Sequence, residues 1–468
     1  MLPPITNMLS SRNFHPIALA AASLCLCLGD LRNACLADDT FRAAAFSPAK
    51  WPGVADGKTQ RVVKPISEEY LRVLRSGDRE ALMPVRDRLV AAFGSYAGVP
   101  EERPEYGLPI NAEKPDVRRI EKLRIDALDR QIGNFGWDQA AKLQTSPGAG
   151  GKVPRLRVSQ RQIQALLEMH EAGLDHDEKC LRHAVAGLDY LLSAQAKSGV
   201  FGYPYEPGGP GLRRQAAAAT ERGERQGRTM VEREWVIDDL GTGGLNFDNG
   251  VCGVALRYGY ALTRDRRYLD SAKRAGEWAR SRPLVLNYNY NGFSGILLAR
   301  LYRVTGEQRW LDDARKVFDL GVVPGQMPDG RWFDQHNAKV QYHAILCSQL
   351  LEYHLALKQA EHPDTGVIEN RLRAALDNLA AELSTYGTNN AHEALSLAAL
   401  SAGLIALGPN PAWERAANIA VNYVTGPFVD IATRRGGELP EPVAAWLLLR
   451  AVEERGMKPV EFQRTIMK

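Results

Sequence analysis

Cysteine is scarce and badly placed for crosslinking. Of six in 468 residues, Cys25, Cys27 and Cys35 fall within the first 37 positions, and Cys180, Cys252 and Cys347 are far apart. That spacing excludes a disulfide framework and reads best as three small buried hydrophobes. An excess of either charge is also missing: 59 Lys and Arg stand against 55 Asp and Glu, a net charge of +4. Nucleic-acid and membrane-surface binders carry clustered basic patches, so neither partner is expected. Beyond position 37 no apolar run approaches the roughly 18 residues of a membrane span, and no stable membrane insertion is expected. The chain has no nucleotide-phosphate loop, dinucleotide fingerprint, serine nucleophile elbow, His-Glu-x-x-His or Cys-x-x-Cys. No cofactor and no metal is expected.

What is present begins with an export pattern. Arg12 and His15 precede a short apolar run, Ile17 to Leu28, and Ala34-Cys35-Leu36-Ala37 offers small residues before Asp38-Asp39. This order predicts a signal peptide over residues 1–37, with the mature chain periplasmic or secreted. Residues 38–115 read as an irregular N-terminal extension, with short helices at Ser67–Arg75 and Arg79–Phe93 and a Pro- and Glu-rich loop from Pro100 to Pro115. Asp116–Ile132 carries Val117, Ile120, Leu123, Ile125 and Leu128 near helical spacing.

From Val158 onward the pattern is helical and repeats with a period of 42 residues. Asn249-Gly250-x-x-Gly253 returns as Asn291-Gly292-x-x-Gly295, Tyr268-Leu269-Asp270 as Trp310-Leu311-Asp312, and Ala272 as Ala314. Weaker copies open at Asn337 and Asn390. The expected inner helices are Val158–Ala172, Asn249–Leu262, Asn291–Val304, Asn337–Leu357, Asn390–Leu407 and Val443–Glu453, alternating with outer helices. A solenoid must cap its ends, whereas a ring buries them. An all-α fold follows: an α/α toroid of about six helical hairpins over residues 116–468, with Asp116–Ile132 supplying the sixth outer helix. An open tetratricopeptide-like solenoid, whose period is about 34 residues, fits less well.

The segment Gln195-Ala196-Lys197-Ser198-Gly199-Val200-Phe201 resembles the Gln…Gly-x-aromatic repeat of α/α-toroid proteins such as triterpene cyclases and toroid pectate lyases. Of the cyclases' Asp-x-Asp-Asp acid motif only the pair Asp238-Asp239 is present. The turns Thr263-Arg-Asp265 and Thr305-Gly-Glu307, each followed by aromatic-Leu-Asp-x-Ala, are similar to those of six-hairpin glycosidases, α/α-barrel polysaccharide lyases and glucuronyl epimerase helical domains. Asp329-Gly330-Arg331-Trp332 with Tyr342-His343 is similar to a segment of the epimerases. The resemblance implies a carbohydrate-active protein with a poly- or oligosaccharide substrate.

The loops before the inner helices are rich in aromatic, amide and charged groups, which suit a sugar's apolar faces and hydroxyls. Candidate catalytic residues are Asp248, His343, Tyr290 and Glu393. Candidate substrate-binding residues are Asn249, Tyr288, Asn291, Arg331, Trp332, His336, Asn337, Lys339, Asn390 and His392. The four asparagines also read as helix N-caps. A lyase or epimerase needs a base and a cation that neutralises the substrate carboxylate, for which His343, Tyr288, Tyr290 or Tyr342 and Arg155, Arg157, Arg331, Lys339 or Arg435 are available. A glycoside hydrolase needs two carboxylates, such as Asp248 with Glu393, Asp334 or Asp239. The balance of cations over spaced acids favours lyase or epimerase action on a uronate-containing polysaccharide. A non-catalytic glycan-binding or scaffold toroid is the third reading.

Overall fold

The computed structural model describes residues 51–52, 57–94, 97–98, 110–132, 156–175, 177–204, 220–233, 235–333, 340–387, 395–426 and 441–463. Helices dominate. Those named here are α1 (Gly57–Ser76), α2 (Arg79–Gly94), α3 (Val117–Ile132), α4 (Leu156–Glu171), α5 (Lys179–Ala194), α6 (Gly244–Thr263), α7 (Arg266–Arg280), α8 (Tyr288–Thr305) and α9 (Gln308–Gly321). They continue with α10 (Val340–Gln359), α11 (Thr365–Tyr386), α12 (Leu395–Leu407), α13 (Pro411–Val424), α14 (Glu441–Arg455) and the single turn α15 (Val460–Gln463).

Helices α4, α6, α8, α10, α12 and α14 each pack against the next, and α14 returns to pack against α4. The ring is therefore closed, and the open solenoid is excluded. Outer helices α5, α7, α9, α11 and α13 each pair with the inner helix before them in sequence, and α3 pairs with α14. Asp116 caps α3 by accepting the Arg118 amide at 3.0 Å, and Asp265 caps α7 by accepting the Arg267 amide at 2.9 Å. The main core lies between the two layers. Trp310, Trp413, Trp446, Leu188 and Phe318 are fully buried there, and Cys180, Cys252 and Cys347 are free thiols in buried positions.

The repeated Asn-Gly-x-x-Gly has a packing cause. A Cβ at Gly250 would collide with the Phe293 carbonyl on α8, and one at Gly292 with the Gln349 side chain on α10. Neighbouring inner helices therefore touch through glycine, which lets their backbones approach closely. The Gln…Gly-x-aromatic motif is also structural. Gln195 donates from Nε2 to the carbonyls of Gly199 (2.7 Å) and Ser271 (2.9 Å). Gly199 has φ of 89°, and a Cβ there would sit 2.5 Å from the Arg274 carbonyl oxygen.

The motif occurs twice. Gln326 donates to the carbonyls of Gly330 (3.1 Å) and Arg371 (2.9 Å), and Gly330 has φ of 88°. Trp332 takes the place of Phe201. The segment assigned to substrate binding from sequence is thus a second copy of the fold's own clasp.

Ahead of the ring, α1 and α2 form a hairpin with its own apolar cluster of Val63, Tyr70, Leu74, Leu82, Val85 and Leu89, seated on Leu320 and Phe333. Arg86 fixes it by donating from Nε to the Pro324 carbonyl at 2.8 Å. Among the described residues no helix is long and apolar enough to cross a membrane.

Candidate functional site

All six inner helices contribute to one axial cavity of about 180 Å³. Its wall is divided. Helices α4, α6, α8 and α10 supply Gln160, Arg161, Gln164, Glu168, Phe247, Tyr258, Phe293, Arg300, Ser348, Gln349 and Glu352. Helices α12 and α14 supply Leu395, Ala398, Ala402, Ile405, Ala445 and Leu448. The polar groups are confined to the first side, where Val251, Val254, Ile296, Ile345 and Leu351 lie among them, and the second side is wholly aliphatic.

On α4 the polar groups form a ladder at four-residue spacing. Gln160 donates to Gln164 (2.9 Å), which donates to Glu168 (3.0 Å). On the opposite wall Glu352 accepts from Arg300 Nη2 (2.8 Å) and Arg303 Nη1 (2.7 Å). Burial acts to raise the Glu352 carboxyl, but Arg300, Arg303 and Arg257 outweigh it and hold it below its usual range. Tyr258 donates its hydroxyl to Glu171 at the same depth.

A second group gathers where the inner helices begin. Arg157 donates to Asp248 from Nε (3.0 Å) and Nη2 (2.5 Å). The same guanidinium lies over the Phe247 ring at 4.3 Å. Phe247 in turn stacks on Phe293, with centroids 4.1 Å apart and planes within 5°. Asp248 is fully buried, and Arg157 is about a third exposed (33% of its side chain). Burial opposes the Arg157 charge, yet the bonds and field of Asp248 raise its pKa above the usual value.

Two phenols face this pair. Burial pushes Tyr203 up to about 12, with Asp239 and Asp248 acting in the same sense and Arg157 against it. Burial likewise raises Tyr290, opposed by Arg157 and assisted by Tyr342, Asp248 and Asp239. Both phenols therefore keep their protons at neutral pH, which makes them donors rather than bases.

The Asp238-Asp239 pair is committed to structure. Asp239 accepts the amides of Gly241 and Leu245, each at 3.0 Å, closing the turn into α6. Asp238 pairs with Arg228, and both aspartates approach Arg282.

The structure brings Asp248 and Tyr290 together at the mouth, but several other sequence candidates lie elsewhere. Helix α6 starts at Gly244 and α8 at Tyr288, so Asn249 and Asn291 lie inside helices and are not N-caps. Asn249 accepts the Phe201 amide (3.2 Å) and donates to the Ala275 carbonyl (3.0 Å). Asn291 ties both backbone groups of Val285 and the Gly321 carbonyl. Each therefore pins its inner helix to neighbouring backbone. The true cap of α8 is Asn287, which accepts from the Tyr290 amide at 3.3 Å. Tyr288 turns away from the axis to meet Tyr70 of the N-terminal hairpin.

His343 is a further correction. Seven residues from His336 suggested a shared axial face, but its ring points outward and bonds the Ala375 carbonyl of α11 through Nε2 at 3.0 Å. Burial, with Arg331 nearby, holds its pKa well below the usual value, so it is a neutral core histidine. Arg331 is buried against Glu382, and Trp332 donates its indole N–H to the Val322 carbonyl at 2.9 Å. Neither reaches the lumen. Glu393, His336, Asn337, Lys339, Asn390 and His392, with Arg155, Asp334 and Arg435, lie outside the described residues. Among the described residues no three His, Cys, Asp or Glu side chains gather as a metal ion requires.

The lumen residues lie on helix faces rather than in the loops that hold the sequence candidates. The available signal is Gln160, Gln164 and Glu168 recurring every four residues, but Arg157, Ser159, Arg161, Gln162, His170 and Glu171 on the same helix obscure it; Gln349 and Glu352 are their counterparts on α10.

No protein-family model matches this sequence, and no curated protein matches it. Among solved structures, the chain is similar to a GH76 α-mannanase from Bacteroides thetaiotaomicron, at 13% identity over 73% of this chain and 97% of that one, with a TM-score of 0.44. It is also similar to a cellobiose 2-epimerase from Spirochaeta thermophila, at 13% identity over 75% and 97%, TM-score 0.44. A third is an unsaturated glucuronyl hydrolase from Streptococcus agalactiae complexed with dGlcA-GalNAc6S, at 11% identity over 76% and 96%, TM-score 0.43.

Proposed function

We propose that this protein is a carbohydrate-active enzyme that takes a uronate-bearing saccharide into the mouth and lumen of its ring. The observation that carries this reading is the divided lumen wall. Amide, guanidinium, carboxyl and aromatic groups face an aliphatic surface, which matches a sugar with one hydroxylated edge and one apolar face. Arg161 and Arg300 line the cavity with Arg257 and Arg303 beside them, and guanidinium is the group best shaped to receive a carboxylate.

In lyase or epimerase chemistry the proton beside the substrate carboxylate is removed, and a cation steadies the charge that develops. Arg157, fixed by Asp248 and stacked on Phe247, is the cation at the mouth. Tyr290, protonated, gives a proton to the departing oxygen or to the opposite face of the sugar. Of the bases that the sequence offers, His343 and Tyr288 turn away from the axis and Tyr290 holds its proton, which leaves Tyr342 beside it. Hydrolysis is the second reading, favoured by Glu168 and Glu352 on opposite walls. We further propose that residues 1–37 direct export; exported protein should begin near Asp38, and an intact Met1 would refute it.

The test is a panel of pectate, alginate, glucuronan and glycosaminoglycans. Elimination creates a conjugated double bond that absorbs near 235 nm, roughly, whereas hydrolysis yields reducing ends without it. Absorbing product supports the lyase, reducing ends alone support the hydrolase, and binding without turnover leaves a glycan-binding toroid.

A further inference from the structure

The C-terminal segment crosses the ring at the end opposite the mouth. The inner helices run parallel, so their last residues share that end. Helix α14 finishes there at Arg455, which donates from Nη1 to the Ala172 carbonyl at the end of α4 (2.9 Å) and from Nη2 to Glu121 (2.6 Å). Gly456 turns the chain with φ of 62°, and Met457 lies beside Gly173, just past α4. The chain then reaches α6, where α15 packs. Phe462 of α15 is half-buried and lines the lumen. The tail thus runs from α14 over α4 to α6, with one aromatic ring turned into the axis.

We infer that Phe462 closes the far end of the lumen and stops the substrate there, so that the ring accepts a saccharide by its chain end rather than threading it. This rests on the saccharide reading above. The cavity size agrees: a pocket of roughly 150 Å³ holds a benzene ring, so about 180 Å³ suits a single six-membered sugar.

The experiment has two arms on the full-length chain. In the first, wild type acts on a long polymer. End action releases product of one size while viscosity falls slowly, and Phe462→Gly lengthens the released product where Phe462→Leu, which refills the space, restores it. Rapid viscosity loss by wild type, or an unchanged product in Phe462→Gly, overturns the inference.

The second arm needs no turnover. Ile405→Cys, made in a chain with Cys25, Cys27 and Cys35 replaced by serine, places a thiol in the lumen near the end of α12, and Cys180, Cys252 and Cys347 are buried. Maleimide labelling should become several-fold faster when Phe462→Gly is added. Equal rates in the two backgrounds overturn the floor. Faster labelling with no glycan turned over or bound would keep the floor and remove the saccharide reading.

Discussion

Arg157 grips Asp248 with two parallel hydrogen bonds, and the two residues come from adjacent inner helices. The pair therefore joins α4 to α6 at the mouth while holding a guanidinium flat against Phe247. Removing Arg157 leaves a buried carboxylate without this partner. Arg157→Ala should cost about 2–3 kcal/mol, below the roughly 3–5 kcal/mol of a fully buried pair because its guanidinium is partly solvated. Urea denaturation of Arg157→Ala, Asp248→Asn and the double variant reads this directly. The double variant should be less destabilised than the two single losses added together. Simple additivity would mean the pair is not coupled.

Tyr290→Phe removes a proton donor and little volume. If the phenol protonates the reacting sugar, kcat should drop by about 10²–10⁴-fold while KM stays near wild type. Because burial raises the Tyr290 pKa above the usual phenol value, wild-type activity should show no loss from deprotonation of this group across neutral pH. A Tyr290→Phe enzyme with full kcat would reduce the residue to packing.

Gln326 and Gly330 should behave as a clasp. Gln326→Ala strips a donor from two buried carbonyls, at about 1–3 kcal/mol each. Gly330→Ala combines a positive φ with a clash against the Ala374 carbonyl, and should lower the melting temperature at least as much. Gln195→Ala should cost more than Gln326→Ala, since Gln195 Oε1 also accepts from Ser271 Oγ (2.7 Å) and from Arg274. Equal losses would show that these two extra bonds contribute nothing.

His343 gives the stability a pH dependence. Its unfolded value is near 6.5, and the fold holds it well below that. Above about pH 6.5 both states are neutral and the group adds no slope. Below it the unfolded chain binds a proton that the folded chain refuses, so stability falls with acid, by up to about 1.4 kcal/mol per pH unit per group. His354, also buried with a lowered pKa, acts in the same direction. Melting temperatures from pH 7 to 5 should fall more steeply in wild type than in His343→Gln. An identical slope would disprove the assignment.

The hairpins were legible because close helix approach demands glycine at fixed places, and Gly250 and Gly292 could not be anything larger. The ring was legible for the same reason: a repeat that buries its faces only against neighbours must end somewhere, and α3 supplies the missing outer member. The site was harder to read. Asn249 and His343 are polar residues beside loops, which is also how binding groups look. What separates them is the direction of the side chain, outward to Ala275 and Ala375 rather than inward. Sequence spacing fixes that direction only to within the uncertainty of the helix start, and α6 begins five residues before Asn249. The polar ladder of α4 is hard to read because Gln160, Gln164 and Glu168 stand among other polar residues, as they would on a surface helix.

Closure of the ring also has a consequence for biosynthesis. Helix α14 is the neighbour of both α12 and α4, so the first hairpin of the ring cannot complete its packing until the last inner helix has been made. Until then α4 presents an unfinished flank, and the nascent chain is an open arc. A stop codon just before Glu441 would remove only residues 441–468 yet leave two helix faces bare, an aggregation hazard out of proportion to the residues lost.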